Sequence, residues 1–481
     1  MAAAVCVLIR KRSVVWGWAA LVGWSTFGMA VALLRRVLAG GPISYAMGGW
    51  PPPWGIELRV DVVSAFVVLL VTIIGAVVLT YARKSVEREV EESRIPLFYA
   101  AFLLCLAGLL GITVTGDVFN LFVFLEISSL STYTLVSMGQ DRRAITAAFR
   151  YLIMGSIGAT FIVIGIGMMY AVTGTLNMQD LAQRIPQVAA TGTIQVAFGF
   201  ITVGVALKLA LFPLHLWLPN AYAFAPSSVT AFIAATSTKV AVYMLLRFFF
   251  TVFGAAFSFD VLQVDLVLLP LALVAIFSTS LVAIFQVDIK RMLAYSSLAQ
   301  IGYMILGVSF ASVIGVTAAT LHLFNHAMMK GALFMALGCV MYRVGSVHIE
   351  AMYGLGRRMP WTMGAFVGAG LSLIGVPLTV GFISKWYLIL GALERGWWPV
   401  AVVVLITSLM AVVYIWRVVE AAYFRSFESE EDEGRGVGEA PLALLVPTWA
   451  LVLVNFYFGI DASLTAGVAT DAARSLMGML P

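Results

Sequence analysis

Long apolar segments constrain this chain more than any other feature. Thirteen of them recur along its 481 residues, at 13–36, 58–82, 95–115, 117–139, 144–172, 194–217, 227–253, 262–286, 292–314, 315–343, 361–393, 397–424 and 440–460. A helix needs about 20 apolar residues to cross a bilayer. Only 11% of the residues are charged, against about 25% in an average soluble domain. The sequence therefore predicts an all-α polytopic membrane protein.

A fourteenth hydrophobic piece, Ala2–Ile9, is too short to span the membrane. It fits the tail of a first helix whose beginning is missing, either by truncation or by a misplaced start. The prediction is accordingly about 13–14 transmembrane helices.

Basic residues give the orientation. Alternate loops contain Arg10-Lys11-Arg12, Arg83-Lys84-Arg88-Arg94, Arg142-Arg143, Lys290-Arg291, Arg357-Arg358 and Arg425-Arg435. By the positive-inside rule these loops are cytoplasmic, which predicts a multi-pass protein of the cell inner or plasma membrane. One cytoplasmic loop is acidic, and we interpret it as a solvated turn or, alternatively, as a docking patch for a basic partner. Its residues are Glu428, Glu430, Glu431, Asp432, Glu433 and Glu439.

The lysines are divided unusually. Three are predicted in cytoplasmic loops: Lys11, Lys84 and Lys290. The other four lie inside apolar segments: Lys208, Lys239, Lys330 and Lys385. Arginines such as Arg247 are predicted near helix ends, where they can snorkel. A desolvated ammonium can lose its proton and a guanidinium cannot, so buried lysines favour proton transfer. The alternative is that they are structural ion-pair partners, although ionisable residues in membrane spans are usually functional.

Three further ionisable residues belong to this set. Glu126 is the only carboxylate that the segments place well inside the membrane, and it is either functional or a protonated glutamate bonded to a nearby serine. His322, His326 and Lys330 repeat at i, i+4 and i+8, so they share one face of a helix. Histidine beside lysine can form a proton relay, although isolated histidines are more often packing residues.

Two apolar segments are interrupted beside their lysines. Lys208 is followed by Pro213, and Lys385 is preceded by Pro377. Proline removes a backbone hydrogen bond, so both segments are predicted to be broken helices. The two are five segments apart and therefore run in opposite directions. Matching breaks in antiparallel halves indicate inverted repeats, with a hydrophilic axis at mid-membrane.

Several function classes lack their motifs. No lysine follows a glycine, so no phosphate-binding Gly-Lys motif is present. The three cysteines are far apart and show no metal spacing. We therefore expect no cofactor, no metal and no redox chemistry in this chain, and its net charge of +5 needs no nucleic acid.

Together these residues resemble the antiporter-like subunits of respiratory complex I, membrane-bound hydrogenases and Mrp-type Na⁺/H⁺ antiporters. The resemblance covers nearly the whole chain and lies in Gly116–Glu126, Ala206–Pro219, Lys290–Gly302 and His322–Lys330. Gly48–Asp61 is most similar to the D-type subunits of Mrp antiporters. In this family the key glutamate matches Glu126, the broken-helix lysine Lys208, the central lysine Lys239 and the second-half lysine Lys385.

The resemblance implies fourteen helices and two five-helix inverted repeats within a larger membrane complex. The predicted divisions are N-terminal helices at 1–94, a first repeat at 95–253, a second at 262–424, and the acidic loop with a C-terminal helix at 425–481. The predicted function is a proton-translocating subunit of a multisubunit Na⁺/H⁺ antiporter, with other membrane subunits as partners. The alternatives are the equivalent subunit of a redox-driven complex, a stand-alone solute transporter, and a scaffold.

Overall fold

A computed structural model describes residues 1–9, 11–425 and 438–479, and its secondary structure is almost entirely helical. The first ten helices are α1 (Ala2–Leu8), α2 (Arg12–Gly40), α3 (Val62–Glu89), α4 (Ile95–Val114), α5 (Val118–Ser137), α6 (Arg143–Thr173), α7 (Met178–Val188), α8 (Gly192–Leu209), α9 (Leu218–Phe224) and α10 (Ser227–Leu246). The remaining helices are α11 (Asp265–Ile284), α12 (Ile289–Ser309), α13 (Val313–Val344), α14 (Leu355–Arg358), α15 (Pro360–Ile374), α16 (Val380–Glu394), α17 (Trp398–Phe424), α18 (Leu442–Ile460) and α19 (Ser463–Leu476). Strands β1 (Ile43–Ala46) and β2 (Glu57–Val60) form an antiparallel hairpin.

Twelve helices in the described parts of the chain are long and apolar enough to cross a membrane. The prediction of an all-α polytopic membrane protein is confirmed. The segment predicted at 361–393 is divided between two 15-residue helices, α15 and α16. The segment predicted at 194–217 ends as a helix at Leu209, and the chain turns before α9 begins. The two predicted breaks are therefore present, beside Lys208 and Lys385.

The inverted repeat is visible in two matching bridges. Asp117 caps the start of α5 and forms a β-bridge with Asn177, which follows α6. Asp288 caps the start of α12 and forms the same bridge with His348, which follows α13. An odd number of spans separates the two capped ends, so they lie at opposite membrane faces. The repeat boundaries 95–253 and 262–424 remain predictions.

Helix α13 lies at the centre of the bundle. It packs against α10, α12, α15, α16 and α18, and its residues from Gly315 to Val340 are all buried. Since a helix surrounded by others exposes no face to lipid, polar residues along it face other protein groups. The predicted His322–Lys330 face is therefore at the core.

Three interpretations of charged residues need correction. Arg247 does not snorkel: it is 7% exposed and paired with Asp61. Lys290 is not in a loop but in the first turn of α12, where it is buried and donates to the Ala225 carbonyl. Glu439 is not solvated, because its carboxylate accepts hydrogen bonds from the first backbone N–H groups of α15, including Trp361 N at 2.8 Å. The other acidic residues of that predicted loop, at 428–433, lie outside the described residues.

Candidate functional site

Lys208 and Glu126 meet where α8 ends against α5. Lys208 Nζ lies 3.4 Å from Glu126 Oε1 and donates to Ser129 Oγ at 2.9 Å. Glu126 and Ser129 are three residues apart and so present neighbouring side chains on α5. The Lys208 side chain is 6% exposed, whereas that of Glu126 is 29% exposed. The pair therefore joins a buried ammonium to a carboxylate at the edge of the bundle.

A cavity of about 30 Å³ adjoins Lys208. About 10–15 Å³ of such space holds one water molecule, so the cavity has room for about two. It lies between α4, α5, α8 and α10, and residues lining it include Ile112, Ser129, Lys208, Ser237 and Met244. The cavity thus connects the first lysine to the helix that carries the second.

Lys239 is fully buried in the middle of α10. Its ammonium donates to the Ala234 carbonyl at 2.5 Å and to Thr238 Oγ1 at 3.2 Å. Its charge lies within electrostatic range of His322, His326 and Lys330 across the contact between α10 and α13. Lys239 therefore stands between the two halves of the chain.

His322, His326 and Lys330 point into the bundle and all have zero exposure. The two imidazole rings stack with centroids 6.0 Å apart. His322 Nδ1 is 2.8 Å from Ser384 Oγ on α16, which ties α13 to the second broken helix. Neither ring nitrogen of His326 has a hydrogen-bond partner among the described residues. His322 is therefore anchored, and His326 has both ring nitrogens available to exchange a proton.

Lys330 and Lys385 donate to backbone carbonyls. Lys330 Nζ donates to Leu293 O and to Ser296 Oγ, both at 2.9 Å. Lys385 Nζ donates to Leu373 O at 3.1 Å and to Ile374 O at 2.7 Å, the last carbonyls of α15. The break in the helix leaves these carbonyls without intrahelical donors, and a helix C-terminus attracts a cation. The second break therefore forms the binding site for the Lys385 ammonium.

The alternative that the four lysines are structural ion-pair partners fits only one of them. Within residues 1–9, 11–425 and 438–479, Lys208 alone has a carboxylate oxygen within 4.0 Å. The other three are held by carbonyls and hydroxyls, which are neutral and do not fix the charge of an amine. The alternative that Glu126 is bonded to a serine is also wrong, because Ser129 binds Lys208 and Ser128 Oγ donates to the Leu125 carbonyl.

Comparison with known proteins places this arrangement in a family. A family described as "NADH:quinone oxidoreductase/Mrp antiporter, TM" matches residues 115–411, more than half of the chain. The chain belongs to this family. The match contains every predicted site residue, from Glu126 to Lys385, and both broken helices.

Relatives within the family come from two kinds of complex. The chain is 44% identical over 432 residues to the N-type subunit of the NADH-quinone oxidoreductase of Desulforudis audaxviator, covering 88% of this chain and 85% of that protein. It is 31% identical over 444 residues to the D-type subunit of the Na⁺/H⁺ antiporter of Alkalihalophilus pseudofirmus, covering 92% and 88%.

Two solved structures share the fold over 99% of this chain and 95% of theirs. One is a chain of the archaeal membrane-bound sulfane sulfur reductase, with a TM-score of 0.90 and 30% identity. The other is a chain of the Mrp complex from Dietzia, with a TM-score of 0.88 and 24% identity. Both are multisubunit membrane assemblies.

Sequence reasoning missed several partners of the predicted residues. Ser296 and Ser384 bind Lys330 and His322, but single serines in apolar helices carry no distinguishing pattern. The Asp61–Arg247 pair joins residues 186 positions apart. One signal was available: Arg247 lies eight residues after Lys239, the same spacing that separates His322 from Lys330.

Proposed function

We propose that this chain is a proton-translocating subunit of a multisubunit cation/proton antiporter in the cell inner or plasma membrane. The observation that supports this proposal is the row of buried ionisable groups that begins at Glu126–Lys208, passes Lys239 and His326, and ends at Lys385. Its two ends are the two broken helices. Proton movement between them needs neither a cofactor nor a substrate pocket in this chain.

The groups in this row have the chemistry that transfer requires. A lysine bound only by carbonyls and hydroxyls can become a neutral amine without leaving an unpaired carboxylate behind. Several buried polar atoms near the row have no protein partner: His322 Nε2, both nitrogens of His326, Gln300 Oε1, Thr320 Oγ1 and Ser237 Oγ. Because buried polar groups are normally hydrogen-bonded, we infer that water molecules connect the side chains.

Each residue then has a role. Glu126 sets the proton affinity of Lys208 by charge proximity, Lys239 connects the halves, and His326 and Lys330 pass protons toward Lys385. His322 positions α16 through Ser384 and exchanges protons through its Nε2. The partners are other membrane subunits, and the transported ions are protons and Na⁺.

A second function is favoured by the relatives. The 44% identical protein is a component of an NADH-quinone oxidoreductase, and one structural neighbour is a sulfane sulfur reductase. The same row of residues would then pump protons using redox energy supplied by other subunits.

Purification of the native complex separates the two functions. In proteoliposomes, an antiporter exchanges Na⁺ for protons without any electron donor, whereas a redox-driven pump moves protons only during electron transfer. Identification of the co-purifying subunits by mass spectrometry gives an independent answer. A complex that translocates no protons under either condition would contradict both functions.

A further inference from the structure

A large cavity opens on the external side of the chain, as the positive-inside orientation defines it. It has a volume of about 810 Å³ and lies between the β-hairpin, α7, the segment after α10 and the C-terminal end of α19. Its lining includes Arg59, Asp61, Arg247 and Asp260. Asp260 is exposed, whereas Asp61 and Arg247 are 8% and 7% exposed, so the cavity leads from the surface to a nearly buried ion pair.

This ion pair is the outer part of a hydrogen-bonded cluster. Arg247 pairs with Asp61 and donates to both Ser64 Oγ and the Tyr243 hydroxyl at 2.9 Å. Ser64 Oγ and the Tyr243 hydroxyl are 3.0 Å apart, and Tyr243 donates to the Thr113 carbonyl at 2.9 Å. Tyr243 has 2% exposure. A chain of hydroxyls therefore extends inward from the Asp61 carboxylate.

Two small cavities continue this line toward Lys208. One, of about 20 Å³, is lined by Asp61, Ser64, Thr115, Tyr243 and Arg247. The other is the cavity of about 30 Å³ beside Lys208, which is lined by Ile112 and Met244. Each has room for at least one water molecule. Ile112 and Thr115 flank Thr113 on α4, so the Tyr243–Thr113 hydrogen bond lies between the two cavities.

We propose that Asp61, Arg247 and Tyr243 form an external proton gate for the first half of the chain. This inference rests on the proposed function. In the outward direction, Lys208 gives a proton to water in the adjoining cavity, and the Tyr243 hydroxyl accepts a proton there. Tyr243 releases its own proton through Ser64 to the Asp61 carboxylate, which gives it to water in the external cavity. Both hydroxyls end as they began, and one proton has moved from Lys208 to the outside.

Arg247 gives the gate its direction. When Asp61 is protonated, the buried guanidinium loses its counter-charge, which is costly in a low-dielectric environment. Release of the proton to the external cavity restores the ion pair. The same pair obstructs inward leakage, because a proton entering from outside has to break it. A purely structural pair would tie α3 to α10 without carrying protons.

Two variants distinguish a gate from a structural tie in the assembled complex. Tyr243→Phe removes the hydroxyl and keeps the ring. Asp61→Asn combined with Arg247→Gln removes both charges at once, so that no buried charge is left unpaired. We expect each to assemble and to lower proton flux in proteoliposomes by about tenfold or more, as loss of a proton carrier does. Asp61→Glu should retain most of the flux, because it keeps the carboxylate.

The control is Tyr81→Phe, which also removes a buried hydroxyl that donates to a backbone carbonyl, that of Met335 at 3.0 Å. It should leave the flux unchanged. Wild-type flux in both Tyr243→Phe and the double variant would overturn the gate. Glu126→Ala in the same preparations separates this inference from the proposed function. If Glu126→Ala is inactive while the gate variants are normal, only the gate is wrong; if Glu126→Ala is also normal, the proposed function fails.

Discussion

The Lys208 ammonium lies 3.4 Å from the Glu126 carboxylate, and Ser129 Oγ holds the same ammonium at 2.9 Å. The lysine comes from the end of a broken helix and the glutamate from a continuous one. Because the serine remains when the carboxylate is removed, the electrostatic part of this contact can be tested without leaving the ammonium unsolvated.

We predict that Glu126→Ala abolishes cation/proton exchange while the complex still assembles. Loss of the carboxylate removes the charge that stabilises the protonated lysine, whereas Ser129 still binds its Nζ. Exchange measured in vesicles should fall by about 100-fold or more, the range for loss of a proton-transfer group. Glu394→Ala, at an exposed position of α16, is the matched control and should behave as wild type. Near-normal exchange in Glu126→Ala would contradict the pairing.

Lys208→Arg and Lys239→Arg should both inactivate, although each keeps the positive charge. A guanidinium does not release its proton under physiological conditions, so a relay that needs a neutral amine stops. Lys84→Arg serves as the control, since Lys84 is partly exposed and pairs with Glu87 at 2.8 Å. Proton flux and the composition of the complex should be measured together. Full activity in both variants would restore the ion-pair interpretation.

His326 and His322 should respond differently to alanine. His326 makes no side-chain hydrogen bond within the described residues, so His326→Ala should lower proton flux with little loss of stability beyond that of a small cavity. His322→Ala also breaks the 2.8 Å contact with Ser384, and it should lower the melting temperature of the complex as well. Parallel flux and thermal-unfolding measurements check this. Unchanged flux in His326→Ala would remove that residue from the pathway.

The second broken helix depends on a glycine. A Cβ on Gly381 would lie 1.8 Å from the Ser372 carbonyl oxygen, a backbone atom that cannot move aside freely. We expect Gly381→Ala to separate α16 from α15, displace Lys385 and destabilise the fold by about 1–3 kcal/mol. Gly364→Ala is the control, because its Cβ would lie 3.5 Å from the nearest atom, in the Trp449 ring. Equal melting temperatures for the two variants would show that the break tolerates a side chain.

Much of the candidate site followed from the sequence because its residues are rare in their surroundings. A lysine among apolar residues is costly in a membrane, so Lys208, Lys239, Lys330 and Lys385 stood out without any structure. The prolines at 213 and 377 located the breaks for a similarly local reason. Spacing placed His322, His326 and Lys330 on one face, since helical periodicity is fixed by backbone geometry.

Only the tertiary structure decided which groups each ammonium binds. Periodicity says which side of a helix a residue occupies, but not which neighbouring helix faces it. The contacts of Lys385 with the α15 carbonyls, of His322 with Ser384 and of Arg247 with Asp61 all arise from packing between distant segments. Arg247 illustrates the physical reason: its position near a helix end permitted snorkelling, yet a carboxylate on α3 made burial of the ion pair possible. The sequence thus determined where charge enters the membrane, and packing determined how that charge is held.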